Sequence, residues 1–422
     1  MPFEFTLFLA MVGVFAVCAF AVKLPVSLSM LAAALTGLLV SGNGLGIRHL
    51  VEGTFGYVDT ILVIATAMIF MRAVQESGAL DALNVVIIKR FRTVPALLLP
   101  MLMLVAMFPG MITGSSSASV LTAGAVVAPV LMILGLPAAE AGAFIALAGI
   151  LGMIAPPVNI PAMIIGGGID MPFVGFEVPL LLLTMPLAVI FSLTIGLKHV
   201  KKLSWEALAP KLDTETYERY GIRLFAPILV VAALMVLGKV VPKYFGMGLP
   251  VVFLIGAALA LFVGKRFNPL LAAKSAVADA LPVLGILAGV GMFIQVMTLT
   301  GVRGFVVVSA LSVPPIMLYA AIAITIPLFG AVSSFGASSV LGVPFLLALL
   351  GKNQIVTAAA LSLIASLGDF MPPTALSAIF AAQVVGVEKY SRVLRHLVIP
   401  SIVILAWALV FIAYSKQIAA MY

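Results

Sequence analysis

Eight stretches of this chain are apolar for about the thickness of a bilayer: residues 5–22, 24–41, 59–75, 176–197, 223–241, 249–264, 279–299 and 397–414. A helix crossing the hydrocarbon core needs about 20 such residues. Hydrophobic residues make up 64% of the 422 and charged ones only 9%, against roughly 25% charged in soluble domains. Too little polar surface exists to cover a water-facing shell. A soluble enzyme, a disordered chain and a secreted disulfide scaffold are excluded, and the fold class is all-α, polytopic and membrane-embedded. Cys18 is the only cysteine, which forbids an internal disulfide or a multi-cysteine metal site. The first run is followed by Lys23-Leu24-Pro25 and a second run, so no cleavable leader is expected.

The remaining apolar sequence is interrupted twice in each half. Residues 95–135 carry Gly114-Ser115-Ser116-Ser117 in mid-stretch, and residues 138–169 carry Pro156-Pro157. Residues 314–350 carry Ser333-Ser334-Phe335-Gly336, and residues 352–387 carry Pro372-Pro373. A small polar turn predicts a re-entrant hairpin. A double proline predicts a helix that stops and restarts, because proline lacks a backbone donor and clashes with the preceding turn.

With the N-terminus outside and each hairpin returning to its own side, seventeen Lys and Arg fall inside. Six fall outside: Arg48, Lys239, Lys243, Arg303, Lys352 and Lys416. That asymmetry is the positive-inside bias. It accounts for the net charge of +8 without a nucleic-acid partner, and it places the C-terminus outside as well. Trp205, Trp407, Tyr414 and Tyr422 are expected interface anchors.

Displacing the second half by 220 positions lays Gly330 to Val340 over Gly110 to Val120 without a gap, and Gly368-x-x-x-Pro-Pro over Gly152-x-x-x-Pro-Pro after a shift of four. The expected organisation is a first repeat at 1–198, a cytoplasmic connector at 199–222 and a second repeat at 223–422. An odd number of crossings in each half makes the repeats inverted. Inverted repeats with broken helices mark secondary transporters, whose sites sit at the midplane. Non-helical backbone at that depth must be buried in protein or line a wet cavity.

The interruptions supply the candidate residues. Gly114, Ser115, Ser119, Ser333, Gly336, Ser338 and Ser339, with Asp369, are candidate ligands of an alkali cation, because hydroxyls and free carbonyls are hard oxygen donors and glycine permits the tight turn. Ser116, Ser117, Asn159, Ser334 and Thr374 are candidate substrate contacts. The alternative is close helix packing by small residues, or helix capping by Asn159 and Thr374. Of fifteen carboxylates, Asp369 alone falls within an apolar interior segment, where such a group is costly and functional by default. The matching residue of the first half is Met153.

These blocks resemble the large membrane subunit of tripartite ATP-independent periplasmic (TRAP) transporters, the DctM-type permeases. The carrying segments are Gly110-Met-Ile-Thr-Gly-Ser-Ser-Ser-Ala-Ser119, Leu151-Gly-Met-Ile-Ala-Pro-Pro-Val-Asn159 and Leu367-Gly-Asp-Phe-Met-Pro-Pro-Thr374. The resemblance implies an elevator mechanism, Na+ as coupling ion with no resident cofactor, and a small organic anion as substrate. It also implies a small four-helix membrane subunit, a periplasmic substrate-binding protein, and residence in a bacterial or archaeal inner membrane. Asp369 and Asn159 depart from the family pattern. A stand-alone symporter using H+ or Na+ is the nearest alternative, followed by a channel, for which no span offers a continuous polar stripe. No His-Glu-x-x-His, Ser/His or Gly-x4-Gly-Lys-Ser/Thr arrangement supports an enzyme.

Overall fold

The computed structural model describes residues 2–91, 93–199 and 214–422, the side chains of Thr214, Ala310, Leu311, Val332 and Ser333 apart. Most of the connector expected at 199–222, with Trp205, lies outside the described residues. The described residues are helical throughout, with no strand.

The first half runs α1 (Phe3–Ala21), α2 (Val26–Val40), α3 (Ile47–Phe55), α4 (Val58–Glu76), α5 (Ala79–Phe91), α6 (Pro95–Thr113), α7 (Ser116–Ile133), α8 (Ala138–Ile154), α9 (Ile160–Gly167) and α10 (Glu177–Gly196). The second runs α11 (Glu215–Val240), α12 (Leu249–Val263), α13 (Pro269–Leu299), α14 (Val302–Leu311), α15 (Pro315–Ala331) and α16 (Ser334–Ala348), α17 (Gln354–Phe370), α18 (Leu376–Val384) and α19 (Tyr390–Ala413). α15 and α16 are the two parts of one helical run, Pro315–Ala348, that continues through the polar turn expected at Ser333-Ser334-Phe335-Gly336, with Ser334 at φ +57°. Among the described residues, 8 helices are long and apolar enough to cross a membrane.

Three helix starts differ most from the hydropathy reading; α11 begins at Glu215, eight residues before its apolar run. α13 begins at Pro269, ten residues before the apolar run, because the Asn268 side chain accepts from the amides of Leu270 (3.0 Å) and Leu271 (3.2 Å) and proline fits the first turn. α19 begins at Tyr390 and carries Arg392, Arg395 and His396 before its apolar portion. Hydropathy finds where a helix enters lipid, whereas capping decides where it starts.

Two sets of helices result. In the outer set, α13 packs on α2, α3 and α4, α4 on α12, α12 on α11, and α2 on α1. In the inner set, α6 and α10 pack on α8, α19 packs on α17, and α18 packs across onto α8 as α9 packs onto α17. α8 is buried on every side from Ala141 to Ile154, and α17 from Val356 to Phe370. Helices apolar around their whole circumference belong at such a centre.

Ion pairs between distant segments join residues that the charge count puts on one side: Arg303 with Asp170 (3.4 Å), Lys239 with Glu177 (2.9 Å), and His199 with Glu140 (3.0 Å). The Lys352 ammonium likewise donates to the Ala413 carbonyl at 2.9 Å.

The halves also pack alike in detail. A Cβ on Gly110 would meet the backbone of Gly152, and one on Gly330 would meet that of Gly368. These are the glycines that the displaced alignment superposes. Gly330→Val should therefore lower the thermal midpoint, by the roughly 1–3 kcal/mol typical of overpacking. Gly304→Ala, which faces open space, should leave it unchanged. Thermal unfolding followed by size-exclusion of the detergent-solubilised protein checks this; equal midpoints would refute the contact.

Candidate functional site

Asp369 stands on the last turn of α17, just before Pro372-Pro373, and is fully buried. Its carboxylate is met by donors from three separate segments. Ser116, in the first turn of α7, donates to Oδ2. Ser334, where α15 meets α16, donates to Oδ1, which also accepts the Phe335 amide at 3.0 Å. Ser377, in the first turn of α18, donates to Oδ2 at 3.2 Å. One carboxyl group thus gathers the α6–α7 turn, the α15–α16 junction and the restart of the second broken helix. A buried carboxylate without a cation beside it requires this kind of hydrogen-bond saturation.

Local conformation puts the hydroxyls there. Gly114 adopts φ +66°, ending α6 in the left-handed region that glycine tolerates. Extended Ser115 then caps α7, its hydroxyl accepting from the Ala118 amide at 3.2 Å. At the second turn Ser334 takes φ +57°, a conformation uncommon outside glycine, asparagine and aspartate. The breaks of α8/α9 and α17/α18 each contain a cis Pro-Pro bond.

The other sequence candidates divide. Ser115 and Ser117 line a 750 Å³ cavity with Arg72 and Gln75 of α4, Asp279 of α13, and Phe380 of α18. Ser338 is buried, and its hydroxyl has no partner among the described residues; it and the Ser334 carbonyl both converge on Gly368. Gly336 packs its turn against Ile286 of α13. The remaining candidates are tied to structure. Ser119 accepts the Gly110 amide at 2.7 Å, and Ser339 donates to the Phe335 carbonyl at 2.6 Å. Asn159 caps α9 through Ala162 (2.9 Å) while its amide group reaches the Ile154 carbonyl and Ser362, each at 3.0 Å. Thr374 donates to the Gly330 carbonyl at 2.9 Å. The Ser333 side chain lies outside the described residues.

Sequence reading missed Ser377, the Phe335 amide and Ser362. Ser377 carries one available signal, a hydroxyl in the first turn after the break, four residues past Pro373.

The sequence model of one family, the DctM component of the tripartite ATP-independent periplasmic transporters, matches residues 11–418. The chain belongs to the DctM family. It is accordingly a multi-pass component of a secondary transport system, in a family of transporters rather than enzymes. The fold is similar to the crystal structure of the YdaH transporter of Alcanivorax borkumensis, described as having an unusual topology. Identity is 17%, the TM-score is 0.62, and the match covers 88% of this chain and 89% of that one. Comparison with curated proteins gives no match.

Removing the Asp369 carboxylate should cost this DctM chain heavily. Asp369→Ala leaves buried donors on Ser116, Ser334, Ser377 and Phe335, each orphaned group costing about 1–3 kcal/mol. Asp369→Asn keeps one acceptor oxygen and should fall between. Thermal midpoints in detergent should rank wild type above Asn above Ala; an unchanged Ala variant would contradict the network.

Proposed function

We propose that this chain is the large membrane subunit of a tripartite system taking up a small organic anion, a carboxylate, by Na+-coupled symport. The carrying observation is the gathering of both hairpin turns and the α18 restart on buried Asp369. Beside it, the free Ser338 hydroxyl and the Ser334 carbonyl present hard oxygens toward Gly368, the donor type that suits an alkali cation. The 750 Å³ cavity supplies a polar approach past Ser115 and Ser117.

An elevator fits the two helix sets. The inner set would carry ion and substrate against the outer one, with the two repeats inverted. The boundary is hollow at two places, at the cavity beside Arg72 and Asp279 and at a 580 Å³ one lined by Glu52, Tyr57, Asp170 and Arg303. Between helix sets, the Tyr57 hydroxyl donates to the Ile164 carbonyl at 3.0 Å, a contact that such a movement would break. Family membership supports a small four-helix membrane subunit and a periplasmic substrate-binding protein as partners. It also supports a place in the inner membrane of a bacterium or archaeon, with both termini outside by the charge asymmetry.

Sodium-22 binding to the purified protein tests the ion, and uptake of carbon-14 succinate and gluconate into liposomes with the cognate partners tests the coupling. Asp369→Asn and Ser338→Ala should each lower Na+ affinity by about tenfold or more, a loss of ~1.4 kcal/mol, and Asp369→Asn should abolish concentrative uptake. Uptake by the wild type that ignores the sodium gradient would overturn the reading.

A further inference from the structure

We infer that the membrane edge between α10 and α19 is a binding site for an anionic phospholipid. A 340 Å³ crevice opens there, walled by the end of α10 and the beginning of α19. Lys198, Arg395 and His396 converge on it. Lys198 and Arg395 are exposed and have no carboxylate partner among the described residues, while Glu140, the acidic group in the crevice, is engaged by His199 at 3.0 Å. The local balance is positive at this edge.

The crevice changes character with depth. α10 ends where α19 begins on that side, so the two helices run in opposite directions along it. Eight residues separate Lys198 from Ile190, and eight separate Arg395 from Val403. At 1.5 Å per residue, cations give way to aliphatic side chains over about 12 Å, close to one leaflet's share of a ~30 Å hydrocarbon core. Ile190 (47%), Ile399 (74%) and Val403 (39%) are exposed along the deeper part. A soluble anion would use the cations and leave that apolar wall bare; a neutral lipid would use the wall and leave the cations unmatched. A phospholipid of net negative charge uses both, its phosphate at Lys198 and Arg395 and one acyl chain along Ile190, Ile399 and Val403. Basic pockets between transmembrane helices recognise lipid headgroups by this combination.

Both helices belong to the inner set, α10 packing on α8 and α19 on α17, so the lipid would sit on that set and not on the boundary between the sets. The inference needs only that the chain spans a bilayer, and it stands whether or not the ion is sodium.

Native mass spectrometry of the delipidated full chain, titrated with dioleoyl phosphatidylglycerol or dioleoyl phosphatidylcholine, is the test. Phosphatidylglycerol should be retained preferentially. Lys198→Ala and Arg395→Ala should each weaken that retention about fivefold, and the pair about 25-fold, the fold-changes equivalent to ~1 kcal/mol per cation. The swapped pair Lys198→Arg and Arg395→Lys should retain the lipid, and Lys416→Ala, at the opposite edge by the charge count, should behave as wild type. Equal retention of the two lipids, or undiminished retention by the doubly substituted chain, would overturn the site. So would a rise in thermal midpoint with inorganic phosphate alone as large as that with phosphatidylglycerol, which would assign the crevice to a free anion.

Discussion

A carboxylate sealed from water inside a membrane protein has few ways to persist. Among the described residues no Lys or Arg meets Asp369; three hydroxyls and one amide do so instead. Because those donors come from α7, the α15–α16 junction and α18, the need to satisfy one buried carboxyl group fixes the relative position of three chain segments. The interruptions are themselves costly, since unpaired backbone at this depth must be buried or wetted. The structure answers both demands at one place: hydroxyls and amides freed by broken helices are the donors that the carboxylate lacks.

The two halves share a packing plan and differ in chemistry. Gly110 against Gly152 and Gly330 against Gly368 bring α6 and α15 to the broken helices by the same close approach. One residue beyond the second of each pair stand Met153 and Asp369, both fully buried. The first half therefore ends its break in a packed apolar position, with Asn159 holding the restart and reaching across to Ser362. The carboxyl centre belongs to the second half alone, and the first half contributes Ser116 to it from outside.

Much of this is legible in the sequence because the bilayer leaves few options. Run length gives six of the eight span-length helices, the Gly-Ser turn and the Pro-Pro pairs give three interruptions, and the isolation of Asp369 among apolar neighbours marks it. The predicted spans at 24–41 and 249–264 form helices of only 15 residues, whereas Pro95–Thr113 and Ser116–Ile133 are each long enough to cross. The roles of individual hydroxyls are not legible. Ser116, Ser119, Ser338 and Ser339 look alike in a row of small residues, yet one reaches a carboxylate across the fold, two bond backbone within their own hairpin, and one is left free. That division depends on which face of a helix turns toward which neighbour. Ser377 escaped notice for the same reason, being a single hydroxyl in an apolar helix. Asn159 proved to be a cap and a bridge because its break leaves an amide, Ala162, needing an acceptor.

The central claim is that the two hairpin turns meet at Asp369. Cysteines placed at Ser116 and Ser334, in a chain carrying Cys18→Ser, should be joined by the short thiol cross-linker dibromobimane in native membranes. The fluorescent product should form in high yield with both substitutions and not with either alone. Absence of the product, with both thiols shown to react singly, would mean that the turns lie apart and would contradict this account.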